Sequence, residues 1–223
     1  MDSYPPLDPQ VVSNWQSVVE TLARVAQVPS AILTHADGPY IEVIRSAEIE
    51  GNPYKAGMRV LPNGHYCETV IRENRRLHVK HAPTDPDWMN APEIKYGMVS
   101  YLGLPLLWPD NSVFGTICVL DRKSNEYSSV VEDVLLHFKR LVESHLAILV
   151  REAEVDALGK ELEKKLHEIS VLKSLIPICA SCKKVRNDDG YWQSVEEYLR
   201  VHADIHFTHG LCPTCSAELF PRA

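Results

Sequence analysis

Between residues 129 and 176 an apolar residue returns at every seventh position: Val134, Leu141, Ile148, Val155, Leu162, Ile169 and Ile176. No proline interrupts this stretch, and Gly159 is its only glycine. Ser129 followed by Glu132 reads as a capping box at its start, and Pro177 marks its end. The pattern predicts one helix over 129–176, ~70 Å long at 1.5 Å per residue. A two-helix seam also needs apolar residues at the intervening positions. Leu158 and Leu172 meet that need, whereas Ser144, Arg151 and Lys165 do not. As far as Leu149 the pattern suits a helix half buried against its own domain. From Arg151 to Glu168 the sequence turns charge-rich, and a partner helix explains the apolar stripe better. The expectation is a parallel homodimer through a coiled coil over 134–176.

Upstream the periods are shorter. Val11, Val12, Trp15, Val18, Val19, Leu22 and Ala26 recur at helical spacing over 9–27. Two strand-like runs follow, 30–35 and 40–46, with Asp37-Gly38 between them as a hairpin signal. Residues 48–62 read as irregular, 65–74 as a short helix and 77–81 as a strand. The stretch 82–90, with its prolines, aspartates and Trp88, reads as an ordered surface loop. Strands over 99–107 and 113–120 are joined by Trp108-Pro109-Asp110-Asn111. Together these elements make a single α+β domain over 9–150, an antiparallel sheet with flanking helices closed by the long helix.

The segment 177–223 has a different character. Cys179-Ala-Ser-Cys182 and Cys212-Pro-Thr-Cys215 stand 29 residues apart. Two such pairs supply four thiolates, enough to hold one tetrahedral zinc ion at ~2.3 Å per sulfur. Between them lie a hairpin around Asp189-Gly190 and a capping box, Ser194 and Glu197. The box opens a helix to about Ala203, with Val195, Tyr198 and Leu199 as its apolar stripe. Pro213 suits the first turn of a final helix. A segment this short cannot readily fold on core burial, and a metal is the usual staple. One zinc per chain on Cys179, Cys182, Cys212 and Cys215 is therefore expected, with His206 or His209 as a substitute ligand or an outer-sphere partner. A redox role for Cys179 and Cys182, beside Lys183 and Lys184, would leave the second pair unexplained. The plan resembles a treble-clef zinc finger with an inserted helix.

Composition narrows the function. At 45% apolar residues the chain can bury one good core and a small appendage. A net charge of -7 argues against a nucleic-acid surface. In the tail the acidic side chains slightly outnumber the basic ones, which favours a protein partner, although Lys183 to Arg186 form a local basic patch. No apolar run is long enough to span a membrane, no signal-peptide pattern opens the chain, and a cytoplasmic location is expected. Phosphate-binding loops, kinase ATP sites and nucleotide-cyclase patterns are not seen.

Four blocks in order carry a family resemblance: His65-Tyr66-Cys67-Glu68-Thr69-Val70, Asp85-x-x-Trp88, Ser100-Tyr101-Leu102-Gly103-x-Pro105-Leu106, and Phe114-Gly115-Thr116-Ile117-Cys118-Val119-Leu120-Asp121. With them the stretch 9–150 resembles a bacterial GAF domain. The resemblance implies a sensory or regulatory module that dimerises through terminal helices, with a pocket between its sheet and the loops of 52–90. His65, Tyr66, Cys67, Trp88 and Tyr101 are the candidates to line it. The N-K-x-n-F-x-x-x-D-E pattern of cyclic-nucleotide-binding members is missing. The segment 177–221 also resembles a short cysteine-rich tail found after sensory and receiver modules of bacterial signalling proteins.

Cys67 stands where the free-methionine-sulfoxide-reducing branch of the GAF family places one of its cysteines. That chemistry needs a second thiol within reach. The region 76–101 holds none, and Cys118 lies inside a strand, so Cys67 reads as a buried small hydrophobe. His78 and His81 have metal-compatible spacing, but no nearby group completes a set. The leading expectation is a non-enzymatic signalling protein: GAF sensor, coiled-coil transmitter and zinc-stapled docking module. A thiol-dependent reductase using Cys67 or the C-x-x-C pairs is the second reading, and a DNA-binding regulator the third.

Overall fold

The computed structural model describes residues 4–173, 176–187, 189–202 and 206–220. The chain divides into two compact units, Met1–Ala157 and Leu158–Ala223, so the division falls inside the long helix.

The first unit opens with helix α1 (Pro9–Ala26), capped by the Asp8 carboxylate and closed at Gln27 in the left-handed conformation. Strands β1 (Ser30–Asp37) and β2 (Tyr40–Ser46) form the predicted hairpin. A two-residue strand β3 (Arg59–Val60) then pairs with β2, inside the stretch expected to be irregular. Two residues carry no readable period, and Arg59 is held there by Asp37 and Glu42 on the hairpin. Helix α2 (Tyr66–Glu73) and strand β4 (Leu77–Val79) follow. Strands β5 (Ser100–Leu107) and β6 (Val113–Asp121) complete an antiparallel sheet of six strands in the order β3-β2-β1-β6-β5-β4.

The sheet has two apolar faces because its central strands alternate apolar residues on both sides. One face carries Ala31, Leu33, Leu102, Leu106, Phe114, Ile117 and Val119, packed under α1. The other carries Ile32, Ile41, Val43, Tyr101, Cys118 and Leu120, packed under α2.

Helix α3 (Ser129–Lys173) carries two stripes. Val131, Leu135, Val142 and Leu146 close over the α1 side of the sheet, and among the described side chains of the helix Leu149 is the last that is buried. The heptad residues Leu141, Ile148, Val155, Leu162 and Ile169 lie exposed. The start of α3 differs from expectation. The Oγ of Ser128, not Ser129, accepts the Val131 N–H, and Glu132 pairs with Arg76 instead of closing a capping box. An acidic residue in the first turn has the same sequence signature whichever partner it takes. The predicted continuation towards Ile176 crosses residues 174–175, outside the described residues. The side chain of Leu172 is likewise outside them.

In the second unit Ile178 bridges to Val185, and β7 (Val185–Arg186) pairs with β8 (Trp192–Gln193) around the expected turn. Helix α4 (Val195–His202) begins with the Ser194 Oγ accepting the Glu197 N–H at 3.2 Å. Its expected end at Ala203 lies outside the described residues. Helix α5 (Pro213–Leu219) starts on the predicted proline. Among the described residues of the segment 177–220, Val185 is the buried hydrophobe, while Tyr191, Trp192, Val201, Leu219 and Phe220 are exposed.

Candidate functional site

A cavity sits between the α2 face of the sheet and the chain that crosses it. Its wall is Ile32, Thr34, Ile41, Val43, Tyr54, Met58, Val60, His65, Cys67, Glu93, Tyr96 and Leu120. As formed it holds about 30 Å³, room for a molecule about the size of one water. Of the five residues expected to line it, His65 and Cys67 do. Tyr66, Trp88 and Tyr101 instead form an aromatic cluster, with Tyr66 5.2 Å from Trp88 and 5.0 Å from Tyr101 between ring centroids. Large aromatic surfaces gain more from packing together than from facing an opening, and Tyr66 and Tyr101 are fully buried.

Glu93 belongs to the site and lies beyond the loop region expected to border it, in a 3-10 turn at Pro92–Tyr96. Its Oε1 accepts the Tyr66 N–H at 3.1 Å and stands 3.0 Å from His65 Nδ1. A carboxylate from elsewhere in the chain thus satisfies one of the open N–H groups at the start of α2, where His65 offers no side-chain cap. The hydrogen bond to Glu93 raises the pKa of His65 above the usual imidazole value, against the opposing effect of burial. Glu93 Oε2 and the Tyr54 hydroxyl are buried without a hydrogen-bond partner. Burial, with the nearby Glu93 charge, drives the Tyr54 pKa far up and keeps that hydroxyl a donor.

Behind the wall a buried polar chain crosses the sheet. Thr34 and Thr116, paired between β1 and β6, have their hydroxyls 2.7 Å apart. Thr116 Oγ1 donates to Cys67 Sγ at 3.3 Å, and the Tyr101 hydroxyl reaches the same sulfur at 3.5 Å. Gly103 makes that reach available: a Cβ there would stand 2.1 Å from the Tyr101 hydroxyl oxygen, so the phenol lies over the bare glycine. Cys118 Sγ is 3.8 Å from Cys67 Sγ. The expectation that Cys118 is out of reach because it lies in a strand is corrected here. Cys118 pairs with Gly103 and Ile32, on the sheet face that α2 covers. The sulfur of Cys118 and then the Thr116 and Tyr101 hydroxyls lower the Cys67 pKa, against burial, whereas burial pushes Cys118 up.

In the tail, each C-x-x-C pair converges on its first sulfur. Backbone N–H groups of Cys182 and Ser181 lower the Cys179 pKa, and those of Cys215 and Thr214, with the Cys215 thiol, act likewise on Cys212. Among the described residues no three His, Cys, Asp or Glu side chains stand together as a metal site, so the two pairs remain separate. His206 and His209 lie in irregular chain ahead of α5. His78 and His81 have other partners, the Asn125 carbonyl and Thr84 Oγ1.

A model of the GAF domain matches residues 13–146. The chain belongs to the GAF domain family. The phycocyanobilin-bound GAF domain of a cyanobacterial phytochrome superposes with a TM-score of 0.55 at 10% identity, covering 66% of this chain and 88% of that one. The GAF domain of a Coxiella burnetii phosphoenolpyruvate-protein phosphotransferase gives 0.52 at 16% identity, over 68% and 88%. The Neisseria meningitidis free methionine-R-sulfoxide reductase, in complex with its substrate, gives 0.52 at 13%, over 64% and 81%. Likeness at this level of identity concerns the GAF fold alone. No curated protein matches the chain. Among the described residues no helix is long and apolar enough to cross a membrane.

Proposed function

We propose that this GAF protein is a non-catalytic sensor whose cavity binds a small molecule. The observation that carries the reading is the pair of orphaned polar atoms in a largely apolar wall, the Tyr54 hydroxyl and Glu93 Oε2. A buried group without a partner costs ~1–3 kcal/mol, a cost that a ligand can relieve. The ligand is compact and mostly apolar, with one hydrogen-bond donor for Glu93 and one acceptor for Tyr54. Cavity lining moves apart to admit anything larger than a water. The phytochrome and reductase relatives, described with phycocyanobilin and with substrate bound, support a ligand-holding use of this fold.

Signal transfer runs through α3 in this reading. Its exposed heptad residues pair with those of a second copy, making a parallel homodimer, and the tail is a protein-docking module. The tail takes one zinc on Cys179, Cys182, Cys212 and Cys215; each pair supplies two sulfurs, and the ion draws the pairs together. The exposed apolar residues of 177–220 support a metal staple, because so little of that segment is buried. A ligand screen by thermal shift on the unmodified protein, repeated on Glu93→Gln, tests the cavity. The expected result is a stabilising ligand whose effect shrinks in the variant; ligands that stabilise both equally would overturn the assignment. Light scattering tests the dimer, with Leu162→Lys expected to give monomer and a monomeric unmodified protein contradicting it.

A thiol-dependent reductase is the second reading, favoured by the 3.8 Å approach of Cys67 and Cys118. Thiol-dependent turnover of a methionine sulfoxide would decide for it.

A further inference from the structure

We propose that Cys67 and Cys118 form an oxidation site for hydrogen peroxide, closing to a reversible intramolecular disulfide inside the GAF domain. The inference is independent of the ligand reading, since it rests on the sulfur pair and not on the orphaned polar atoms.

Geometry distinguishes the two thiols. Cys67 lines the cavity and is 8% exposed, whereas Cys118 is fully buried behind it. Tyr96 belongs to the same wall and is exposed at the surface, so the cavity reaches the outside of the domain. At about 30 Å³ the space has room for about one water, so hydrogen peroxide, one oxygen larger, asks far less opening of the lining than an amino acid or a lipid hydroperoxide. Thr116 Oγ1 and the Tyr101 hydroxyl converge on Cys67 Sγ, at 3.3 and 3.5 Å. Donors placed this way stabilise a thiolate, the form of cysteine that attacks peroxide. Cys118 lies 3.9 Å from the Ile32 carbonyl oxygen and shares the Thr116 and Tyr101 hydroxyls with Cys67, but burial outweighs them and keeps its proton on until needed.

The chemistry balances with one peroxide. Cys67 thiolate attacks one peroxide oxygen; the O–O bond breaks, an S–O bond forms, and the departing hydroxide takes a proton to leave as water. Cys67 is then a sulfenic acid, its sulfur oxidised by two electrons. Cys118 sulfur attacks that sulfur as its proton goes to the departing hydroxide. The S–O bond breaks, the S–S bond forms, and a second water leaves. A dithiol reductant returns both cysteines to thiols by exchange. Closing the sulfurs from 3.8 Å to a disulfide needs about 1.8 Å of approach. Cys118 sits on a central strand, so α2 supplies that movement. Helix α2 begins next to His65, so the cavity wall moves with it.

Peptide mapping of the full chain after hydrogen peroxide, with free thiols alkylated under denaturing conditions, tests this directly. The expected product is a cross-linked pair of peptides carrying Cys67 and Cys118, lost on treatment with a dithiol. Cys118→Ser should leave Cys67 as a sulfenic acid that a cyclic diketone traps, and Cys67→Ser should leave Cys118 reduced. Tyr101→Phe should slow Cys67 oxidation by roughly three- to tenfold, as the loss of one thiolate donor would. Full alkylation of both cysteines after peroxide has oxidised the tail thiols would overturn the proposal, as would a disulfide joining either one to the tail. The unmodified chain alone decides this, so poor folding of a variant does not blur it.

Discussion

Trp15 donates its indole N–H to His145 Nδ1 at 2.9 Å, and the two rings lie stacked with an interplanar angle of 10°. The bond ties α1 to α3 one turn before the buried Leu149. Trp15 is fully buried against Phe114, so the same side chain links both helices to the sheet. Trp15→Phe removes the donor, leaves the histidine acceptor unpaired and opens a cavity. A loss of about 2–3 kcal/mol in urea unfolding is expected. A loss under half that size would show that the link is not structural.

Gly103 and Tyr101 occupy one space between them. Gly103→Ala places a Cβ 2.1 Å from the Tyr101 hydroxyl oxygen and forces the ring aside. Destabilisation of about 1–3 kcal/mol is expected from overpacking. In a Tyr101→Leu background the same change should cost much less, since the clashing atoms are gone. Equal costs in both backgrounds, measured by a double-mutant cycle, would contradict this account.

Tyr54→Phe separates stability from binding. It removes an unpaired buried hydroxyl from the cavity, so the empty protein should be unchanged or slightly more stable, by up to about 1 kcal/mol. Any ligand that uses that donor should bind more weakly. Calorimetric titration beside thermal melting would reveal both effects, and a clear loss of stability would mean the hydroxyl has a partner in solution.

The His65–Glu93 pair sets a pH dependence. Hydrogen bonding to Glu93 raises the folded pKa of His65 above the unfolded value of ~6.5. The stability this contributes is fully present below about pH 6.5 and is lost as pH rises through the higher folded value. The gain is modest because the ring is partly exposed. Unfolding midpoints measured from pH 5.5 to 8.5 should fall more steeply in the unmodified protein than in His65→Gln. Parallel profiles would remove His65 from the account.

Zinc in the tail has a direct readout. Elemental analysis should give one ion per chain, and chelation should unfold 177–220 while the GAF domain keeps its own melting transition. Zinc binding at such sites supplies on the order of 10 kcal/mol of folding free energy. Cys212→Ser should mimic chelation. A folded tail without metal, or one cross-linked by disulfides, would refute the assignment.

The sequence by itself determined most of the elements, though not β3. On α3 the seven-residue spacing marked Leu141, Ile148, Val155, Leu162 and Ile169, which lie exposed, and the change to charge-rich sequence at Arg151 marked where burial gives way after Leu149. Two short runs joined by Trp108-Pro109-Asp110-Asn111 announced β5 and β6, and the four motif blocks marked the GAF domain. Such signals are legible because each repeats within a short window of chain. Contacts between distant residues decided the rest. Glu93 reaches the start of α2 across 27 positions of chain, and Cys67 meets Cys118 across 51. Strand alternation says that Cys118 and Thr116 share a face, but not which helix will lie over it or which of its side chains will point down. That choice was made by packing: α2, held at its start by Glu93, sets Cys67 over the two hydroxyls and the second sulfur.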